Sequence, residues 1–193
     1  MAEKFKKVGI FMGSFDPFHV GHAAVVGNIL RDGLVDGVII LIAPKNPWKN
    51  EKPVDIGLRE LMIRSWFNIP LVPQFLERDK IVIESFPGDY SYIQLKAVIE
   101  KYGAANIEYY IIGGSDIKPK KWKEGKWILE NFKILRLRRP GFFDFRFIFS
   151  RREENSIMIS SSAIRSMIKE GKEPIPFINK ESWNLIKRFR LYE

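Results

Sequence analysis

The chain has 193 residues, a formal net charge of +9, no cysteine and two histidines. With 46% hydrophobic and 28% charged residues it has the composition of a globular chain able to bury its own core, and the lack of cysteine excludes disulfides and thiolate metal sites. No apolar run approaches the length needed to span a bilayer and the basic N-terminus lacks a signal-peptide core and cleavage site, so a cytoplasmic protein without a membrane partner is expected.

VGIFM, Val8 to Met12, reads as a strand, followed by a helix over about Val20 to Arg31. VIILIA, Val38 to Ala43, is a second strand, leading into the polar loop PKNPWKNEKP. Asp55 caps a helix through LRELMIRSWF, where Leu58, Leu61, Met62 and Ser65 recur at helical spacing. LVPQF and IVIES are short extended pieces. SYIQLKAVIEKYG is a helix stopped at Gly103. YYIIGG is a strand running into two glycines, and a Trp-rich amphipathic stretch follows. ILRLR is the next strand, with a turn at Pro140–Gly141, and FRFIF is another. Helices over Ser160 to Gly171 and about Asn179 to Arg190 close the chain. Alternating strands and helices predict an α/β fold, a doubly wound parallel sheet covered on both faces, with residues 1–193 forming one domain. Ligands of such sheets bind beyond the carboxyl ends of the strands.

Both histidines fall in GIFMGSFDPFHVGH, Gly9 to His22. Gly13 and Ser14 lie where the backbone leaves strand 1, and glycine tolerates unusual dihedrals and close approach of a ligand there. Asp16–Pro17 is a turn pair. His19 and His22 stand at i and i+3, so both rings can share one face near a helix N-terminus, whose N–H groups and dipole favour anions. A lone histidine is as readily a packing residue; two in this setting point to phosphate oxygens. A zinc site would need carboxylates to complete it, with no third histidine and no cysteine.

ISSSAIR, Ile159 to Arg165, is by itself a serine-rich helix start with an arginine one turn in. Beside a phosphate loop it offers a second grip, with serine hydroxyls and Arg165 making charge-assisted bonds.

The first segment resembles the G-x-F-D-P-x-H-x-G-H signature of the nucleotidyltransferase superfamily. ISSSAIR is similar to the I-S-S-T-x-I-R motif of the nicotinate/nicotinamide mononucleotide adenylyltransferases, with Ser162 in place of threonine. YYIIGGSD (Gly114, Asp116), Trp122, RRPGF and ESWNLIKRFRLY resemble further segments of that family, so the likeness spans Val8 to Tyr192. APKNPWK resembles the family's P-P-H-K loop, with Trp48 where histidine is common and Lys49 kept. The family's S-Y-T-x-D-T-L stretch survives only in part around Ser91.

The resemblance implies a Rossmann-like fold and transfer of an adenylyl group from ATP to nicotinate or nicotinamide mononucleotide, releasing pyrophosphate, with Mg2+ bridging the phosphates. It places His19, His22, Arg165 and Lys49 in catalysis. Gly13, Ser14, Phe15, Gly114, Asp116, Ser161 and Ser162 join His19, His22 and Arg165 around ATP. Ser14, Phe15, Lys49, Ser91 and Trp122 would meet the mononucleotide. Phosphopantetheine adenylyltransferase shares the histidine loop and is the nearest alternative. A basic nucleic-acid-binding module is an alternative of another class, supported by KPKKWKEGKW but leaving the histidines without work; no nucleic-acid partner is expected. Acid or amide substrate, and monomer or homo-oligomer, stay open.

Overall fold

The computed structural model describes residues 5–44, 52–68, 78–114, 117–137 and 159–193. LVPQF, FRFIF, RRPGF, Trp48, Lys49 and Asp116 lie outside the described residues. Five strands, β1 (Lys7–Gly13), β2 (Gly37–Ile42), β3 (Ile81–Glu84), β4 (Glu108–Gly114) and β5 (Lys133–Leu137), form one sheet in the order β3-β2-β1-β4-β5. Every pairing is parallel. The helices are α1 (Val20–Arg31), α2 (Ile56–Asn68), α3 (Ser91–Tyr102), α4 (Gly125–Asn131), α5 (Ser161–Lys169) and α6 (Lys180–Arg188).

β2 explains the layering. All six of its residues are buried, as a central parallel strand requires. Val38, Ile40 and Ile42 join Val26 and Ile29 of α1 and Ile63 and Phe67 of α2 on one face. Ile39 and Leu41 join Leu95 and Val98 of α3 and Ile128 of α4 on the other. The period-2 alternation of a strand therefore feeds two cores at once. A third cluster fastens the C-terminal helices, with Met62 of α2 against Ile164 and Ile168 of α5 and Ile186 of α6.

The helix ends follow local chemistry. Asp55 Oδ1 accepts from Gly57 N–H at 2.8 Å at the start of α2. Gly103 closes α3 with φ 84°, a region glycine enters without steric cost. The burial of α2 differs from the expected stripe. Arg59, Met62, Ile63 and Phe67 are buried, whereas Leu61 is 50% exposed. The helix is turned so that a charged residue faces inward, because that arginine has carbonyl partners waiting for it.

Candidate active site

β1 and β4 are neighbours, yet the chain reaches β2 from β1 on one side and β5 from β4 on the other. Strand order reverses between them, so their carboxyl ends open the crevice in which such sheets bind ligands. Gly13 ends β1 and Gly114 ends β4 at this place.

The loop after β1 carries both histidines. His19 is the N-cap of α1, with extended backbone at φ −142°, and its Nδ1 accepts from Gly21 N–H at 3.2 Å. His22 Nδ1 accepts from His19 N–H at 3.3 Å. This is a capping box built from two imidazoles, and it stacks the rings with centroids 3.7 Å apart. An Nδ1 that accepts a hydrogen bond carries no proton, so each neutral ring carries its proton on Nε2. Phe11, Phe15 and Phe18 surround the His22 ring, with centroids 5.9, 5.1 and 5.1 Å away. The pair is set in an aromatic holder, and His19 itself is buried.

Two expectations about this loop change. The left-handed residue is Phe15, with φ +50°, not Gly13. Gly13 is the last strand residue, and a Cβ there would stand 3.0 Å from the Phe15 ring and press on it. The first N–H groups of α1 are also engaged within the protein. Val20 N–H donates to Phe177 O at 2.9 Å, and the Gly21 N–H goes to the His19 ring. The polar face of this helix start is therefore presented through the imidazoles and not through bare amides.

The second motif is fastened to the first. α5 is capped by Ser160, whose hydroxyl accepts from Ala163 N–H at 3.1 Å. Ser161 Oγ donates to Pro17 O at 2.9 Å and Arg165 Nη1 donates to Asp16 O at 2.8 Å. Arg165 also lies 3.4 Å from the exposed Ser162 hydroxyl. The histidine loop, Ser161, Ser162 and Arg165 thus form one assembly.

Ser91 and Trp122 belong to the opposite face. Ser91 opens α3, whose cap residue Tyr90 makes no side-chain cap bond, and the loop before it is held by Gln94 Nε2 donating to Gly88 O at 2.9 Å. Trp122 is half-buried and packs, with Trp127 and Tyr92, on the cluster containing Ile10 and Leu41. It follows a short 3-10 turn, Pro119–Lys121.

Arg59 was not anticipated as a site residue. It is 1% exposed. Its Nη1 donates to Ser14 O at 2.7 Å and Ala43 O at 2.8 Å, its Nη2 to Pro44 O at 3.1 Å and its Nε to Val54 O at 2.7 Å. One guanidinium therefore joins the loops after β1 and β2 to the start of α2. Burial lowers its pKa, while the charge of Asp16 works in the opposite direction. The signal in the sequence was an arginine three and four positions before Met62 and Ile63, on the face of α2 that packs inward. Asp16 and Tyr192 were missed as well: the Tyr192 hydroxyl donates to Asp16 Oδ1 at 2.6 Å across 176 positions of chain.

Among the described residues there is no group of three or more His, Cys, Asp or Glu that could hold a metal, and no helix long and apolar enough to cross a membrane. The arrangement can bind polyanions: the two imidazoles, Arg165 and the serine-rich start of α5 meet at one strand edge, with Arg59 buried behind them.

Comparison with known proteins agrees with this geometry. A cytidylyltransferase-like family model matches residues 10–167. A "Probable nicotinate-nucleotide adenylyltransferase" of Bacteroides thetaiotaomicron is 31% identical over 205 residues, covering 98% of this chain and 95% of that one. A protein of the same description from Clostridium tetani is 27% identical, covering 97% and 99%. In structure the chain is similar to Plasmodium falciparum nicotinic acid mononucleotide adenylyltransferase complexed with NaAD, with a TM-score of 0.71, 19% identity, and 96% and 97% of the two chains covered. On the family model over residues 10–167 and the 31% identity over nearly the whole of both chains, the chain belongs to the cytidylyltransferase-like family and, within it, to the nicotinate-nucleotide adenylyltransferases: it is a nucleotidyltransferase.

Proposed function

We propose that the protein transfers the adenylyl group of MgATP to nicotinate mononucleotide. A 5′-phosphate oxygen of the mononucleotide attacks the α-phosphorus and a new P–O bond forms. The bond from the α-phosphorus to the bridging oxygen of the β-phosphate breaks, and pyrophosphate leaves with the charge. The attacking oxygen is already anionic and needs no general base. The work of the protein is positioning and charge stabilisation.

The observation that carries this reading is the imidazole capping box. Because both Nδ1 atoms accept backbone N–H groups, both Nε2–H groups are committed as donors. In this reading they contact the α- and β-phosphates and strengthen as charge moves to the leaving group. Arg165, Ser161 and Ser162 sit beside them at the start of α5 and hold the β,γ end, with Lys49 as a further cation for the phosphates. Gly13, Ser14 and Phe15 line the meeting point of the substrates, Gly114 and Asp116 the ribose, and Ser91 and Trp122 the pyridine. Magnesium enters on the ATP polyphosphate and neutralises part of its charge. Nicotinate is chosen over nicotinamide because both relatives named above carry the description "Probable nicotinate-nucleotide adenylyltransferase".

The test is pyrophosphate release from MgATP with nicotinate mononucleotide, nicotinamide mononucleotide and phosphopantetheine in parallel. Fastest turnover with nicotinate mononucleotide is expected. Preference for the amide would correct the substrate, and turnover with phosphopantetheine alone would remove the pyridine site while leaving the histidine chemistry intact.

A further inference from the structure

Residues 14–19 contain no helix or strand, so remote groups fix the shape of the loop that holds the histidines. Arg59 takes the Ser14 carbonyl, Arg165 that of Asp16 and Ser161 that of Pro17, and Val20 N–H goes to Phe177 O. To these the Tyr192 hydroxyl adds a bond to the Asp16 side chain at 2.6 Å.

The backbone that delivers this hydroxyl is unusual. After α6 the chain curls through Arg190 at φ +48° and Tyr192 at φ +68°, with Leu191 N–H returning to Ile186 O at 3.0 Å. Non-glycine residues in the left-handed region are uncommon and persist where surrounding contacts over-determine them. Here the curl turns the phenol back onto the loop after β1.

Asp16 explains the need. It is a buried carboxylate, 9% exposed, three positions before His19, in a site built for polyanions. Left to turn towards bound phosphates it would repel them. Inside the protein its charge faces that of Arg59, and Arg165 donates to its backbone carbonyl at 2.8 Å.

We propose that Tyr192 is a positioning residue for nucleotidyl transfer: its bond to Asp16 holds that carboxylate within the protein, away from the face on which His19 and His22 present Nε2. The inference rests on the reading of the histidine loop as the phosphate site.

The test is a cycle of wild type, Y192F, D16N and D16N/Y192F, each assayed for kcat and KM for ATP with nicotinate mononucleotide and for Tm. Imidazole NMR spectra accompany it, which a chain with two histidines makes simple to assign. Y192F is expected to lower kcat about tenfold or more while its Tm stays within a few degrees of wild type, and to move the resonances of both rings. D16N/Y192F should exceed Y192F and match D16N within about twofold, because without the carboxylate the phenol has nothing left to restrain. Wild-type kcat and unmoved resonances in Y192F would overturn the proposal, as would losses that multiply in the double variant. Where Y192F alone is too unstable to assay, a larger than twofold difference between D16N and D16N/Y192F overturns it. Should wild type turn over no mononucleotide, the proposed substrate fails, and the resonances of Y192F still decide the latch.

Discussion

The two imidazoles serve a structural end through Nδ1 and, in the proposed function, a chemical one through Nε2, and a substitution can separate them. Asparagine at position 19 keeps an acceptor at the place of Nδ1 and is a strong N-cap, but carries nothing at the place of Nε2. His19→Asn should therefore lose less stability than His19→Ala, the difference being the cap of about 1 kcal/mol, while losing on the order of 100-fold or more in kcat. Equal loss of stability in His19→Asn and His19→Ala, measured by denaturant titration, would mean that the ring does more than cap. Tyr192 allows a test by pH. Burial first, and Asp16 second, raise its phenol above the ordinary 10.0, and Arg165 and Arg59 oppose this without reversing it. The folded chain keeps a proton that the unfolded chain loses, so this stabilisation is complete below about pH 10 and declines as pH rises past it. Tyr102, raised by burial and by its bond to Glu84, acts in the same sense. Y192F should flatten, but not abolish, the fall in stability between about pH 10 and 12. At this scale the sequence disclosed the histidines, because rarity and spacing are visible in a string. It did not disclose Asp16 and Tyr192, which meet across nearly the whole chain.

Elements are joined at the site by side chains that reach backbone carbonyls, and Arg59 is the main example. Arg59→Met would leave carbonyls of Ser14, Ala43, Pro44 and Val54 without their donor. A loss of about 3–5 kcal/mol is expected on denaturant titration. Arg59→Lys, with one point charge for a planar fork, should recover only part of it. The cap of α5 is a milder case: Ser160→Ala should cost about 1 kcal/mol, since it removes the acceptor for Ala163 N–H. Helix α4 depends on a glycine for closeness. A Cβ on Gly125 would lie 2.4 Å from Pro119 O, so Gly125→Ala must displace the turn that precedes Trp122. Caps and stops were legible in the sequence because they act within a turn. The burial of an arginine was not, because its partners sit on three separate segments.

At the scale of the molecule, the parallel sheet makes the site by bringing the ends of β1 and β4 together and setting α5 against the loop between β1 and α1. If the proposed reaction is right, the cations at the site and the net charge of +9 make ATP binding weaken as ionic strength rises. A KM for ATP that climbs with added salt while kcat holds is expected, and a salt-insensitive KM would place the phosphates elsewhere. By itself the sequence determined the five strands and the helices α1, α2, α3, α5 and α6, their alternation, the two motifs and the family they resemble, because periodicity, capping and motif spacing are local properties of a chain; α4 was visible only as a Trp-rich amphipathic stretch. Tertiary structure alone decided the strand order, the inward turn of Arg59, the engagement of the first α1 amides and the closing bond from Tyr192 to Asp16. Each of these depends on which distant groups share a low-dielectric interior, where an unsatisfied carbonyl or an unpaired charge is too costly to leave.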